Sequence, residues 1–319
     1  MTICPPPVNP LSAVMNRPYL ILVLTNIFWG GNVVAGKLAV GHIDPHSLMI
    51  LRWTGALLLV LPFAIGPLQR DWLVIKAKWW LYLFYGAVGY ATFNVFVYIA
   101  AYYTSRVNIA LEQVAVNIFV ILLNFILFRT GVKALQLAGI AITIVGVAII
   151  ATHGDLARIL QLDVNLGDLF IILACFAYAI YSIALRWRPR THWLSFLSAT
   201  FVGAILASFA YQAGLGNGVG SLAANFGPID LQGWVIAAYT AIFPSVLSQM
   251  LYVRGVELIG SNRASLFINL IPLFGTLGSV IVLGESLALF HIYAAALIAL
   301  GLVLAEWSAR RPVVSGQPG

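Results

Sequence analysis

Apolar residues fill ten long runs along the chain, and short polar connections separate these runs. The first five runs lie at about 19–40, 47–65, 79–103, 109–128 and 135–151. The other five lie at about 169–185, 194–215, 234–253, 264–283 and 289–305. Each run is near the roughly 20 residues that a helix needs to cross hydrocarbon, and none alternates polar and apolar residues as barrel strands do. The pattern predicts an all-α polytopic membrane protein with ten transmembrane helices.

Composition supports this fold class, because 61% of the 319 residues are hydrophobic and only 8% are charged. Soluble domains are roughly a quarter charged. The polar connections are too short to fold independently, so we predict a single domain embedded in the lipid bilayer. Cys4 lies near the amino terminus and Cys175 lies in an apolar run, which argues against a disulfide framework. We expect neither a metal site nor a cofactor.

The Lys and Arg residues of the connections fall almost entirely on one side of the predicted membrane. This side, which we call the basic face, also holds both chain ends. Its positive residues are Arg17, Arg70, Lys76, Lys78, Arg129, Lys133, Arg186, Arg188, Arg190, Arg254, Arg263, Arg310 and Arg311. The opposite face has Arg106 and Arg158. By the positive-inside rule, we predict a multi-pass inner (plasma) membrane protein with cytoplasmic tails at 1–18 and 307–319.

The same charge bias accounts for the formal net charge of +7. A positive net charge can also attract nucleic acid, but a basic face against a membrane explains it without such a partner. We therefore expect the partners to be the lipid bilayer and a small-molecule substrate.

The two halves of the chain resemble each other. VYIAAYYTSRVNIA matches LYVRGVELIGSNRA with Tyr98 over Tyr252, a spacing of 154 residues, and LQLAGIAITIVGVAII parallels FHIYAAALIALGLVLA. Because each half holds five helices, the second half, 153–306, enters the membrane upside down relative to the first, 19–152. Many carriers use such inverted repeats to build one central cavity that opens alternately to either side.

Several segments resemble a known family. NIFWGGNVVAGKLAV, DPHSLMILRWTGALLLVLP, GDLFIILACFAYAIYSIALR and NRASLFINLIPLFGTLGSVIVLGESL look like the two EamA-type repeats of the drug/metabolite transporter superfamily. The most specific element is Pro272 followed by Leu283, Gly284 and Glu285, and the first half departs from it with Asn117 near the proline position. The resemblance implies a central cavity lined mainly by the first, third, fourth, sixth, eighth and ninth helices. Known members mostly export amino acids, other metabolites or drugs.

Three charged residues, Lys37, Arg52 and Glu112, fall inside predicted helices at similar depth near the opposite face. An isolated charge there costs about 3 kcal/mol or more on insertion scales, so pairing of Glu112 with Lys37 or Arg52 would form an ion pair or gate. Lys37 could instead reach the interface by snorkelling. Arg52 could form a structural ion pair or contact lipid headgroups.

Amides and aromatic rings recur deeper in the helices that the resemblance assigns to the cavity. Buried amides need partners in hydrocarbon, so they either join helices or bind substrate. The rings either pack in the core or form cavity walls, and together the two groups suit a neutral or zwitterionic substrate with an apolar body. The candidate substrate-binding residues are Trp29, Asn32, Asn94, Tyr98, Asn117, Tyr178, Tyr181, Phe243, Gln249 and Asn269.

Two prolines interrupt predicted helices of the second half. Pro244 and Pro272 each remove a backbone donor inside the eighth and ninth helices, which favours kinks. These kinks would act either as hinges for gating or as fixed bends.

The sequence favours a transporter over an enzyme or a receptor. It contains no H-E-x-x-H motif and no Walker-type phosphate loop, and it has no sizeable cytoplasmic output domain. We expect export of amino acids or related small metabolites by alternating access, as uniport or exchange, in a protein that functions as a monomer. Proton-coupled export of drugs or organic cations is the alternative, ahead of a membrane receptor or an intramembrane enzyme.

Overall fold

Apolar helices make up the computed structural model, which describes residues 14–100, 103–104, 109, 113–161, 165–215, 218–221, 226–284 and 286–310. The helices of the first half are α1 (Pro18–Ala39), α2 (Pro45–Ala77), α3 (Trp79–Phe84, Tyr85–Thr92 and Phe93–Ala100), α4 (Ala115–Phe128) and α5 (Ala134–Ala151). Those of the second half are α6 (Leu166–Ala184), α7 (Trp193–Gly214), α8 (Leu231–Thr240, Ala241–Leu247 and Ser248–Ile259), α9 (Ser261–Ala264, Ser265–Leu270 and Ile271–Leu283) and α10 (Leu289–Arg310).

Nine of these helices, counted over the described residues, are long and apolar enough to cross a membrane. The remaining one, α4, is a shorter apolar helix of 14 residues. The ten predicted helices are therefore confirmed.

Side-chain caps determine where several helices begin at the opposite face. Asp44 precedes α2 and accepts the N–H of Ser47 at 3.0 Å. Asn165 and Asp168 form a reciprocal capping box at the start of α6. Each cap satisfies a backbone donor that the first helical turn leaves unpaired.

Helix α2 is longer than the apolar run predicted at 47–65, because it continues to Ala77. At about 1.5 Å per residue its 33 residues extend roughly 50 Å, well beyond the hydrocarbon thickness. Two contacts hold the extension: Ile75 is buried in the main core cluster, and Asp71 accepts the N–H of His192 at 2.7 Å. The apolar run ended earlier than the helix because the extension contains Gln69, Arg70, Asp71 and Lys76, which interrupt the hydrophobic sequence.

Helix packing has the symmetry expected of inverted repeats. In the repeat, helices α1 to α5 correspond in order to α6 to α10. The contact of α1 with α9 therefore corresponds to that of α6 with α4, and the contact of α1 with α8 to that of α6 with α3. All four contacts are present. The α2–α7 and α5–α10 contacts are each converted into themselves. Together with the odd number of helices in each half, this pattern confirms the fold of two inverted five-helix repeats.

The self-paired contact α5–α10 and the α3–α7 contact depend on glycine. A Cβ added to Gly139 would lie 2.5 Å from the backbone nitrogen of Ala305, and one added to Gly301 would lie 2.5 Å from the Gly139 carbonyl oxygen. A Cβ on Gly86 would overlap the carbonyl oxygen of Thr200. Because no side chain fits at these positions, the backbones approach closely, as small residues allow between membrane helices.

Helices α3 and α8 each contain a π-helical segment at matching positions. The segments are Tyr85–Thr92 in α3 and Ala241–Leu247 in α8. Shifting the first by the 154-residue repeat spacing gives 239–246, which overlaps the second. The predicted distortion at Pro244 is present in this form. The distorted segment of α3 contains no proline but includes Gly86 and Gly89, which tolerate irregular backbone.

Pro272 begins a helical segment rather than bending one. Residues Ser265–Leu270 form a tight 3-10 turn, and the α-helical part of α9 starts at Ile271 with Pro272 in its first turn. Proline suits this position because the first helical N–H groups lack internal partners. The geometry of α9 therefore changes next to Pro272, as predicted, but through a change of helix type.

A buried carboxylate joins three helices at the basic face. Glu306 of α10 is only 4% exposed, and both its oxygens accept from Nε of Arg263 in α9 at 3.0 Å. Tyr19 of α1 donates to the same carboxylate at 2.6 Å. These contacts connect the first helix of one half to the last two helices of the other.

Candidate functional site

A cavity of about 650 Å³ lies at the basic face between the ends of α4, α6, α8 and α9. We call it the vestibule. Its lining includes Asn124, Ser182, Arg186, Arg188, Glu257 and Ser261. Thr130, Arg190 and Gly260 at its edge are exposed, so it opens onto the basic face. Because α4 belongs to one half and the other three helices to the second, the vestibule lies between the repeats.

A second cavity of about 460 Å³ lies beside the vestibule. Arg188 and Glu257 line both cavities, and their side chains form an ion pair between them. Glu257 also contacts Arg254 at 3.2 Å, and Arg254 donates to Asn16 Oδ1 at 2.8 Å. The Arg188–Glu257 pair therefore separates the two cavities, and Arg254 connects α8 to the segment before α1.

The vestibule carries a positive character at its mouth. Arg186, Arg188 and Arg190 all come from the connection that follows α6, and Glu257 is the one carboxylate among the lining residues. Several cations around a low-dielectric cleft raise the local concentration of anionic groups. The mouth is therefore suited to solutes that carry a carboxylate.

Amides join α4 to α9 along one side of the vestibule. Asn124 donates to Ser261 Oγ at 3.2 Å, and deeper in the bundle Asn117 donates to Asn269 Oδ1 at 2.6 Å. Asn117 is fully buried, and its own Oδ1 has no hydrogen-bond partner among the described residues. An unpaired buried acceptor is costly, and Asn117 is not among the residues that line the vestibule, so a donor could reach this oxygen only if the neighbouring helices moved apart.

Aromatic side chains close the inner end of the vestibule. Ser182, which lines it, lies 2.8 Å from the hydroxyl of Tyr252. The Tyr252 ring is 5.2 Å from Trp29 and 5.8 Å from Tyr178, and Tyr178 is 5.2 Å from Phe93. These four rings, which we call the ring cluster, come from α1, α3, α6 and α8. Aromatic faces and edges on four helices can hold an apolar side group while the amides bind its polar part.

Trp29 also connects the ring cluster to the distorted part of α8. Its indole Nε1 donates to the carbonyl oxygen of Pro244 at 3.2 Å. That carbonyl lies within the π-helical segment, where the widened turn exposes backbone acceptors. The ring cluster and the α8 distortion are therefore directly bonded.

Arg52 lies buried between α2, α3 and α8, with only 3% of its surface exposed. Its Nε donates to Ser245 Oγ at 2.6 Å, and its guanidinium lies 4.7 Å from the Trp53 ring centre. It also reaches Asn94 Oδ1 at 3.4 Å. This burial excludes the expected alternative of a lipid-headgroup contact.

Contacts between the halves close the opposite face. Residues Ala35, Ala39, Ile43, Leu48, Ile229, Ile236 and Ala237 form an apolar cluster there. His42 Nδ1 lies 2.6 Å from Asp230 Oδ2, and Lys37 donates to Ser279 Oγ at 3.0 Å. The pKa of the Asp230 carboxyl is lowered, first by the N–H of Gly233 and then by His42, so it is ionised at neutral pH. Over the described residues, the vestibule therefore opens at the basic face, while these contacts join the two halves at the opposite face.

Comparison with known proteins identifies the family. The EamA-like transporter family matches residues 16–152 and again 165–307, which together cover most of the chain. The chain belongs to the EamA-like transporter family.

Relatives of this EamA-like transporter carry the same general description. The "Uncharacterized transporter YyaM" of Bacillus subtilis (strain 168) is 27% identical over 297 residues, which cover 92% of this chain and 95% of that protein. An "Uncharacterized transporter" of Archaeoglobus fulgidus is 25% identical over 90% of this chain and 98% of its own length. A crystal structure with 17% sequence identity superposes with a TM-score of 0.69 over 92% of this chain and 99% of the other, which shows the shared fold. The protein is therefore a membrane transporter, and its relatives suggest that it is not an enzyme.

None of the predicted substrate-binding residues of this EamA-like transporter is among the described residues that line the vestibule, but several of them contact each other deeper in the bundle. Trp29 and Tyr178 belong to the ring cluster, Asn117 and Asn269 bond each other, and Tyr181 donates to Gln249 at 3.4 Å. These contacts join α1 to α6, α4 to α9 and α6 to α8, which are helices that the family resemblance assigned to the cavity.

Other predicted site residues lie elsewhere. Phe243 packs against Phe28 at 5.4 Å and Tyr239 at 5.1 Å rather than in the ring cluster. Asn32 is partly exposed in α1. Glu112 and the side chain of Tyr98 lie outside the described residues. The pairing of Glu112 with Lys37 or Arg52 therefore stays a prediction.

Sequence reasoning did not include Phe93, Ser182 or Tyr252 among the candidate binding residues. Tyr252 could have been found from its position over Tyr98 in the repeat match. Phe93 could have been found as an aromatic ring too deep in the third helix to be an interfacial anchor. Ser182 gave no such signal, because one serine in an apolar helix is ordinary. Among the described residues, no group of His, Cys, Asp and Glu is arranged to hold a metal ion.

Proposed function

We propose that this transporter exports amino acids or related small carboxylate metabolites across the inner membrane by alternating access, as a uniporter or exchanger. The observation that supports the proposal most is the vestibule between the two halves, which leads to the ring cluster while the opposite face is closed. If the basic face is cytoplasmic, as the positive-inside rule predicts, solute enters from the cytoplasm, which suits export.

The chemistry of the cavity supports this substrate class. Arginines at the mouth attract a carboxylate, the amide of Asn124 in the lining can bond an ammonium or amide, and the ring cluster receives an apolar side group. A solute with all three features is a small amino acid or a close relative of one. The helices that line the cavity all belong to one chain, so the proposed unit of function is the monomer.

Transport by purified protein in liposomes tests the proposal. A panel of radiolabelled amino acids, small carboxylates and organic cations is measured for uptake and counterflow, with and without a pH gradient. We expect saturable amino acid or carboxylate flux that does not need the gradient. Gradient-driven flux of organic cations alone would instead support proton-coupled drug export, and absence of flux for the whole panel would contradict both.

A matched pair of tyrosine variants links the flux to the cavity. Tyr252→Phe removes the hydroxyl that bonds Ser182 at the inner end of the vestibule, so we expect a higher KM for the transported solute. Tyr293→Phe alters a tyrosine of α10 that is 63% exposed, and we expect no change. Equal effects of both variants would contradict the assignment of the cavity as the substrate route.

A further inference from the structure

Arg52 of α2 contacts the distorted regions of both halves. Its Nε donates to Ser245 Oγ at 2.6 Å, and its Nη1 lies 3.4 Å from Asn94 Oδ1. Ser245 lies inside the π-helical segment of α8, and Asn94 lies immediately beyond that of α3. One guanidinium therefore joins two segments that the repeat symmetry relates to each other.

The contact with α8 continues into the backbone of the π-helical segment. Pro244 has no N–H, so the carbonyl of Thr240, four residues before it, loses its α-helical donor. Ser245 Oγ donates to this carbonyl at 2.8 Å while it accepts from the guanidinium. A hydroxyl that accepts from a cation becomes a better donor, so the charge strengthens the bond that satisfies the distorted turn.

The contact with α3 has the same form. Asn94 accepts from the guanidinium through Oδ1, and its Nδ2 donates to the carbonyl of Tyr90 at 2.6 Å, within the π-helical segment. Both links therefore run from Arg52 through one polar side chain to a backbone carbonyl, which lies within the π-helical segment of α3 and immediately before that of α8.

Among the described residues this arrangement occurs once, although the fold is symmetric. Helix α7, which corresponds to α2 in the second half, reads WLSFLSATFVGAILASFAYQAG and contains no charged residue. Arg52 lies in the first two turns of α2, on the side of the closed opposite face. The bond from α2 to Ser245 crosses from the first half to the second, so the halves cannot separate there while it is intact.

We propose that Arg52 is a positioning residue that couples the π-helical segments of the two halves and holds the opposite face closed. Opening at that face requires the guanidinium to leave Ser245. The proposal rests on alternating access, which is part of the proposed function, but not on the identity of the solute.

The accessibility of single cysteines tests this coupling without any substrate. In a background with Cys4 and Cys175 replaced by Ala, one reporter is Ala237→Cys in the apolar cluster of the opposite face, and the other is Val256→Cys in the vestibule. We expect Ser245→Ala to raise the rate of maleimide labelling at 237 roughly tenfold, as for loss of one hydrogen bond to a charged group, and to slow labelling at 256.

The variants at Arg52 are graded in the same assay. Arg52→Gln should raise labelling at 237 at least as much as Ser245→Ala, and Arg52→Lys should raise it less, because an ammonium can keep the bond to Ser245 but not the second link. Ser208→Ala is the matched control, since Ser208 is a buried serine that bonds only a carbonyl of its own helix in α7, at 2.7 Å.

Two results would overturn the proposal. One is unchanged labelling at 237 in both Ser245→Ala and Arg52→Gln. The other is faster labelling at both reporters together with a lower unfolding temperature, which would show a purely structural role. Because no solute enters this assay, a negative transport panel would leave its outcome intact, and the two proposals can fail separately.

Discussion

Individual polar side chains in the helices are paired across the bundle rather than left against lipid. Asn117 bonds Asn269, Asn124 bonds Ser261, and Lys37 bonds Ser279. The sequence predicted that such residues need partners, because an unsatisfied amide is costly in hydrocarbon. It could not predict which partner each one takes, since that depends on how distant helices pack.

The contribution of the buried Glu306 carboxylate at the basic face to stability can be tested by substitution. Glu306→Gln leaves Arg263 largely buried without its counter-charge, so we expect a loss of roughly 1–3 kcal/mol, less than for a fully buried pair because Arg263 is partly exposed. The free energy of unfolding in detergent measures it. Tyr19→Phe removes one hydrogen bond from the same carboxylate and should cost about 1 kcal/mol. If both variants unfold like the parent protein, the cluster has no stabilising role.

At the scale of helices, the sequence predicted where regular helices occur. It predicted only some of the positions where the helices are distorted or extended. The ten apolar runs and the distortion at Pro244 followed from composition and from the missing proline N–H. The π-helical segment of α3 has no proline, and it depends on contacts with α7 that one helix's sequence does not contain. The extension of α2 was missed for a related reason, because Ile75 and Asp71 gain their partners only in the folded bundle.

Glycine spacing between α3 and α7 gives a prediction for helix packing. Gly86→Ala would push a methyl group into the carbonyl of Thr200, so we expect a loss of about 1–3 kcal/mol in the free energy of unfolding. Gly36→Ala is the control, because nothing lies within 4 Å of the added Cβ. That control should be neutral or slightly stabilising, since alanine favours helix over glycine. Equal unfolding energies for the two variants would refute the packing argument.

The proline of α8 gives a second prediction for an element. Pro244→Ala restores the N–H that can bond the Thr240 carbonyl, so the π-helical segment should relax toward a regular helix. We expect an unchanged or higher unfolding temperature together with a several-fold lower transport turnover. Pro62→Ala in α2, an exposed proline inside a helix, is the comparison and should keep normal turnover. Normal turnover in Pro244→Ala would show that the distortion is only a fixed bend.

For the whole molecule, the two faces of the bundle are in different states. Among the described residues, an apolar cluster and the His42–Asp230 contact join the halves at the opposite face, while the vestibule opens the basic face. The sequence predicted inverted halves from repeat similarity and charge bias. It could not predict which face is open, because both arrangements use the same helices and differ only in how the halves meet.

A reversible cross-link tests this picture at the same scale. In the background without native cysteines, His42→Cys and Asp230→Cys joined by a short thiol cross-linker would fix the opposite face closed. We expect transport to stop and to recover on reduction, while solute still binds from the basic face. Each single variant treated with the same reagent is the control. Continued transport by the cross-linked protein would contradict alternating access.

The self-paired contacts α2–α7 and α5–α10 have an energetic consequence. Because exchange of the halves converts each of them into itself, the alternating access that we propose would keep the same apolar packing there in its inward-open and outward-open states. These broad interfaces then contribute little to the energy difference between the two end states. The resting preference is left to the few charged side chains that break the symmetry, so single substitutions at those positions can reverse which side the carrier faces at rest.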